Sequence, residues 1–138
     1  MRLIASIAAS TLVLTACSAA ADTAVRDDCM VLASDPVAQE QFAARDLTAD
    51  HFCDCMVSYV DAQPETEEEQ MTLALAEVTG EMEASEVGAE DALRTVRLET
   101  QEMDDDAGKT LGSGIRLLGG MMNAYGEDFG ADDACPTP

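Results

Sequence analysis

A chain of 138 residues suits one domain. Its residues are 47% apolar but only 4% aromatic, with no Trp, so the core must be built from Leu, Val, Met and Ala, which favours packed helices. Acidic residues number 28 against 7 basic, which argues against nucleic acid as a partner and against docking on anionic lipid.

The N-terminus carries Arg2 and then an apolar run from Leu3 to Leu14. That run is too short to span a bilayer and has the length of a signal-peptide core. It ends in Leu14-Thr15-Ala16-Cys17. This resembles the lipobox of bacterial lipoproteins: an aliphatic residue, two small residues, then cysteine. The resemblance covers residues 1–17 and implies cleavage before Cys17 and lipid on its sulfur. Residues 1–16 are then a signal peptide, 17–25 a lipidated cysteine and short tether, and 26–138 the domain. Ser18 at the following position implies sorting to the outer membrane, facing the periplasm. The alternative is an ordinary secretory signal cut after Ala19-Ala20-Ala21, which leaves a soluble periplasmic or secreted protein. Fully extended, Ser18 to Val25 reaches less than roughly 30 Å.

Loss of Arg2 leaves six basic residues against 28 acidic. Such a charge fits an envelope partner with a cationic surface, loose buffering of divalent metal, or plain solvation of an acidic face.

Further along, Asp27-Asp28 is expected to open a helical turn with Val25, Cys29 and Leu32 on one face. Asp35-Pro36 reads as N-cap and first position of a short helix ending near Arg45. Thr48 caps the next helix, which runs to about Ala62. On a 100° wheel Phe52, Met56, Tyr59 and Gln63 fall within about 40° of one another, with Val60 beside them, and form the buried stripe. Asp54, Ser58 and Asp61 fall on the wet face. Cys53 and Cys55 take opposite shoulders of that stripe.

Pro64 starts a fourth segment, with Glu65, Glu67, Glu68 and Glu69 in its first turns and Met71, Leu75, Val78 and Met82 on one face. Gly80 and Gly88 predict a break between them. A helix from Ala89 to Met103 places Leu93, Val96, Thr100 and Met103 on one side. Asp104-Asp105-Asp106-Ala107-Gly108 reads as an acidic turn. The last helix, Leu111 to Tyr125, has Ile115, Leu118 and Met122 on its stripe. Gly112, Gly119 and Gly126 recur along one shoulder, where they would admit a close neighbour. The fold expected is all-α: a small, disulfide-tied bundle of four or five helices.

Cysteine parity ties these elements together. Five cysteines are odd for an exported protein. Placing lipid on Cys17 leaves Cys29, Cys53, Cys55 and Cys135. Side chains at i and i+2 diverge on a helix, which disfavours a Cys53–Cys55 bond and hence its complement, Cys29–Cys135. Two pairings remain. Cys29–Cys53 with Cys55–Cys135 is favoured, although the two shoulders alone do not decide between them.

Several motifs are weighed and set aside. The Asp104–Gly108 run fails as a calcium loop, because its glycine is misplaced and Ile115 stands where a Glu is needed. Gly108-Lys109-Thr110 lacks the first glycine and the strand of a phosphate loop. Met56, Met71, Met82, Met103 and Met122 lie on apolar stripes and read as core. The single histidine, His51, has no nucleophile marked beside it, so no catalytic residue is assigned and no cofactor is expected. The function expected is a lipid-anchored, non-enzymatic envelope protein with a binding or structural role. One alternative is metal handling, Cu or Zn, by His51 and Cys55 with further cysteines and methionines. A second is thiol–disulfide exchange through the cysteines.

Overall fold

Several helix starts in this chain are set by capping side chains, as the computed structural model, which describes residues 15–128 and 134–138, shows. Six helices follow in order: α1 Thr15–Ala33, α2 Pro36–Ala44, α3 Ala49–Asp61, α4 Glu65–Ser85, α5 Ala89–Glu102 and α6 Asp106–Asp128. The described residues are thus all-helical. The sixth helix, against the four or five expected, comes from counting the segments at Asp27 and Pro36 as full helices.

Thr48 Oγ1 accepts the His51 amide at 3.1 Å and starts α3. Asp35 does more. Its Oδ1 accepts the Val37 and Ala38 amides at 2.8 and 3.3 Å, capping α2 behind Pro36. Its Oδ2 accepts the Ala89 amide at 2.8 Å, capping α5 as well. One carboxylate, 7% exposed, therefore supplies two helix N-termini. Gly88 permits this, since a Cβ there would stand 2.8 Å from Asp35 Oδ2.

Two boundaries differ from expectation, each for a local reason. Helix α1 does not begin at Asp27 but already includes Ala19-Ala20-Ala21, because alanine is the best helix former. The segment 17–25 is thus helical, not an extended tether, and Val25 is already core at 3% exposure. The break expected between Gly80 and Gly88 is found, with α4 ending at Ser85. The chain turns at Glu86, which takes the left-handed conformation at φ 53°, and the Val87 amide bonds back to Met82 at 3.2 Å. The acidic turn belongs to the start of α6, not to the end of α5. Asp105 Oδ1 accepts the Gly108 amide at 3.0 Å, and Asp106 lies in the first turn, where the helix dipole favours anions.

The core has two lobes. One joins Val25, Cys29 and Ala33 of α1 to Phe52, Met56 and Val60 of α3, with Met71 and Leu75 of α4 and Met121 and Tyr125 of α6. The other joins Ala74, Val78 and Met82 of α4 to Ala92 and Val96 of α5 and Leu111 and Ile115 of α6. Residues early in α4 and late in α6 share the first lobe, and the reverse holds in the second. The two long helices therefore run antiparallel through both lobes.

Their closest approach is at Gly114. A Cβ there would overlap the Gln70 carbonyl and stand 2.8 Å from Ala74 Cβ. Gly119 and Gly126, expected to admit a neighbour, face open space, and Gly112 meets only Thr100 Cγ2 at 3.5 Å. The same rotation of α6 buries Met121 completely and leaves Met122 at 42% exposure. Met103 is 39% exposed, because the chain has left α5 there. Met56, Met71 and Met82 are buried as expected.

Substitution at two α6 glycines separates packing from propensity. Gly114→Ala is expected to destabilise by about 1–3 kcal/mol, because the new methyl meets backbone that cannot move aside. Gly119→Ala, in open helical space, is expected to stabilise by about 0.5–1 kcal/mol. Non-reducing urea titrations followed by circular dichroism read both.

Candidate functional site

The hub helix α3 carries His51, Cys53 and Cys55, the histidine and two of the cysteines that the sequence singled out. Phe52, Met56 and Val60 face the core, while Asp54, Ser58 and Asp61 are exposed. Cys53 and Cys55 are both fully buried. As the diverging shoulders require, they reach different neighbours. Cys53 is bonded to Cys29 of α1, across a sequence separation of 24. Cys55 is bonded to Cys135 in the C-terminal segment, across a separation of 80. Of the two pairings that helix geometry left open, the favoured one is the one found. The apolar run through Leu14 and the side chain of Cys17 lie outside the described residues.

Arg26, one turn before Cys29, reinforces the α1–α3 junction from outside. Its guanidinium donates to Asp50 Oδ1 at 2.8 Å and to Asp54 Oδ1. Both carboxylates are well exposed, so these pairs orient the helices and add about 0–1 kcal/mol each.

His51 and Cys55 stand one turn apart on α3. His51 Nε2 lies 3.7 Å from Cys55 Sγ. Candidate ligand atoms of His51, Cys55 and Cys135 all fall within 4.8 Å of one another. Cys29 and Cys53 are bonded to each other elsewhere, so only part of the cysteine set that metal handling could draw on is brought to the histidine. Both cysteines that do reach it are held as a disulfide, whose sulfurs are far weaker ligands than thiolates.

Two carboxyls are perturbed upward from their ordinary value of 3.8. Burial raises Asp28 most, Asp27 and Glu83 add to the rise, and a hydrogen bond from Thr79 Oγ1 at 3.3 Å opposes it. Burial also raises Asp61, and the neighbouring Asp22 carboxyl and then Glu68 push it further. The early part of α1 thus brings a like charge up to the end of the hub.

A cavity of about 430 Å³ opens between the end of α1, α2, α3, the start of α5 and the end of α6. Phe42, Phe52, Leu47, Met122 and Tyr125 give it apolar walls, and Asp35 and Arg45 add polar ones. Phe52 meets Tyr125 edge-on, with centroids 4.7 Å apart, and packs tilted on Phe42 at 5.2 Å. Burial pushes the Tyr125 hydroxyl up to about 12, against the pull of Arg45. Phe42, Arg45 and Leu47 carried no sequence signal. They belong to a short helix and its exit turn, where periodicity has too few residues to speak.

A second, more open cleft of about 520 Å³ collects Arg97, Lys109 and Arg116, half of the basic residues beyond Arg2. Lys109 is paired with Asp106 at 3.0 Å, and Arg116 donates to Ser113 Oγ at 2.9 Å.

No known protein family matches this chain, and no curated protein or solved structure resembles it.

The raised carboxyls set a pH dependence. A carboxyl that holds its proton more tightly when folded stabilises fully below its unfolded value, and that contribution is lost as pH rises through the folded one. Melting temperature is therefore expected to gain from these two groups as pH is lowered through their raised folded values towards the ordinary 3.8, opposite to the loss that depressed carboxyls cause. Asp28→Asn, which keeps an acceptor for Thr79, is expected to raise stability at pH 7 and to shrink that pH response. Thermal melts of both proteins across this range measure it.

Proposed function

We propose that this chain is a lipid-anchored, acidic protein of the bacterial cell envelope, held at the outer membrane facing the periplasm, whose disulfide-tied domain binds a partner or plays a structural part without catalysing a reaction. The observation that carries this reading is the disposition of the cysteines. Four of the five are consumed in two bridges, and the fifth, Cys17, stands at the lipobox position. Paired bridges of this kind belong to oxidising compartments outside the cytosol. The run before Cys17 has the charge, length and small residues of a lipoprotein signal. One acyl chain alone holds a protein marginally, whereas a diacylglyceryl cysteine supplies the two chains that stable anchoring takes.

A partner with a cationic surface fits the charge, since six basic residues face 28 acidic ones after loss of Arg2. The same charge is unsuited to nucleic acid.

Cys17→Ser tests the anchoring. The variant is expected to accumulate uncleaved or to leave the membrane fraction, and to lose incorporation of labelled fatty acid, with both disulfides intact. Processing and membrane fractionation unchanged from the parent would overturn the lipoprotein reading.

A further inference from the structure

We propose that reduction of the Cys55–Cys135 bridge turns this corner of the hub helix into a three-ligand site for Zn²⁺ or a chemically similar borderline divalent cation, held by His51 Nε2, Cys55 Sγ and Cys135 Sγ. The inference stands on the geometry of α3 and the C-terminal segment and does not depend on lipid anchoring.

The ligand set is nearly assembled. Tetrahedral zinc with sulfur at about 2.3 Å and nitrogen at about 2.0–2.1 Å places its ligands roughly 3.5–3.8 Å apart. His51 Nε2 and Cys55 Sγ are already at 3.7 Å, fixed by i,i+4 spacing on a helix that is capped at Thr48. All three ligand atoms lie within 4.8 Å of one another. The two sulfurs, bonded to each other in the bridge, must part to reach that spacing. That movement falls on Cys135, which is not buried and lies in the non-helical segment 134–138, while Cys55 stays seated in the core. The Cys29–Cys53 bridge offers no such site. Both of its residues sit on helices at 0% exposure, and the chain's single histidine is with the other pair.

The chemistry needs a dithiol reductant and closes as follows. One reductant thiolate attacks Cys135 Sγ and forms a mixed disulfide, and Cys55 leaves as a thiolate beside the His51 ring. The second reductant thiol displaces Cys135 and departs as the oxidised disulfide. Two electrons have passed to the protein, which gains two protons as two thiols. Binding of M²⁺ then releases those two protons, and the two thiolates and the neutral imidazole hold the ion, with water at the fourth position. The site is thus read by redox state: closed as a bridge, open as a metal clasp.

The probe is Co²⁺, whose thiolate charge-transfer and tetrahedral absorption bands report the ligands directly. Full-length protein is reduced mildly with a phosphine, freed of reductant under anaerobic conditions and titrated, and its thiols are mapped by alkylation. We expect two alkylated thiols, Cys55 and Cys135, retained helical circular dichroism, and one Co²⁺ per chain that Zn²⁺ displaces. The oxidised protein is expected to show no thiolate band. His51→Ala is expected to weaken binding by about tenfold or more, and Cys55→Ser/Cys135→Ser, which keeps the buried bridge, to abolish the bands after the same reduction. The proposal is overturned if Cys29 and Cys53 are the first thiols released, if mild reduction melts the helices, if the bands are absent, or if His51→Ala binds as well as the parent.

Discussion

Everything in this fold hangs on one helix cross-linked on both shoulders. Cys53 and Cys55 are two residues apart on α3, so their side chains leave the helix some 160° apart. One is pinned to α1 and the other to the C-terminal segment. The closed loops are complementary. That from Cys29 to Cys53 contains α2, and that from Cys55 to Cys135 contains α4, α5 and α6. Every helix after α1 is therefore either the hub or inside a loop that the hub closes. Chain-entropy arguments give about 3–4 kcal/mol for the shorter closure and about 4–5 for the longer, before any native strain. Either value is comparable with the whole net stability of a small domain, roughly 5–15 kcal/mol. A core of Met, Leu, Val and Ala with few aromatics needs that help, and the long closure also holds a proline-flanked tail that would otherwise fray.

The sequence was most legible where local chemistry acts alone. Thr48 as a cap, the buried stripe of Phe52, Met56 and Val60, and the divergence of Cys53 from Cys55 all follow from helix geometry within a dozen residues. The divergence reduced three disulfide pairings to two, and the fold decides between those two. Legibility failed where tertiary contact decides. Met121 displaces Met122 in the core because α6 is rotated to place Gly114 against the Gln70 carbonyl, and no periodicity in α6 alone reveals that contact. Asp35 was readable as the cap of α2, but its second task at Ala89 joins residues 54 positions apart. The break between Gly80 and Gly88 was readable, but its turn residue was not, because Glu86 takes the left-handed conformation at a site where glycine would be the sequence signal. For the candidate site, the i,i+4 relation of His51 to Cys55 was visible, whereas the arrival of Cys135 required the pairing to be settled.

The charge of the domain is less one-sided than its sum. Acids sit in the first turns of α3, α4, α5 and α6, where helix dipoles favour them, and no helix has a basic residue in its last turn. The contrast among the partly buried acids is instructive. Asp35 is offset by three backbone amides, whereas Asp28 has the Thr79 hydroxyl against burial and two like charges. Amides at a helix start donate along the dipole and cost nothing to orient, but a hydroxyl already shared with Leu75 and Ala76 carbonyls has less to give. The same residue type is thus an asset at one end of α1 and a cost within it, and the difference lies in which donors the backbone aims at it.

Helix α1 links that electrostatics to the proposed anchor. An extended leader from Cys17 to Val25 would let a strongly acidic domain drift from an anionic bilayer by nearly 30 Å. As helix, the same stretch spans only about 12 Å, at about 1.5 Å per residue. The rotation of that stretch is fixed as well, since Val25 and Cys29 on its continuation are buried against the hub. A lipid on Cys17 would then hold the domain at a set height and orientation, with like-charge repulsion acting on a lever and not on a loose chain. Repulsion across less than about two Debye lengths at physiological salt is only partly screened. Such an anchor would keep the acidic faces of α4 and α5 presented to a partner, through the one helix that the Cys29–Cys53 bridge fastens to the hub.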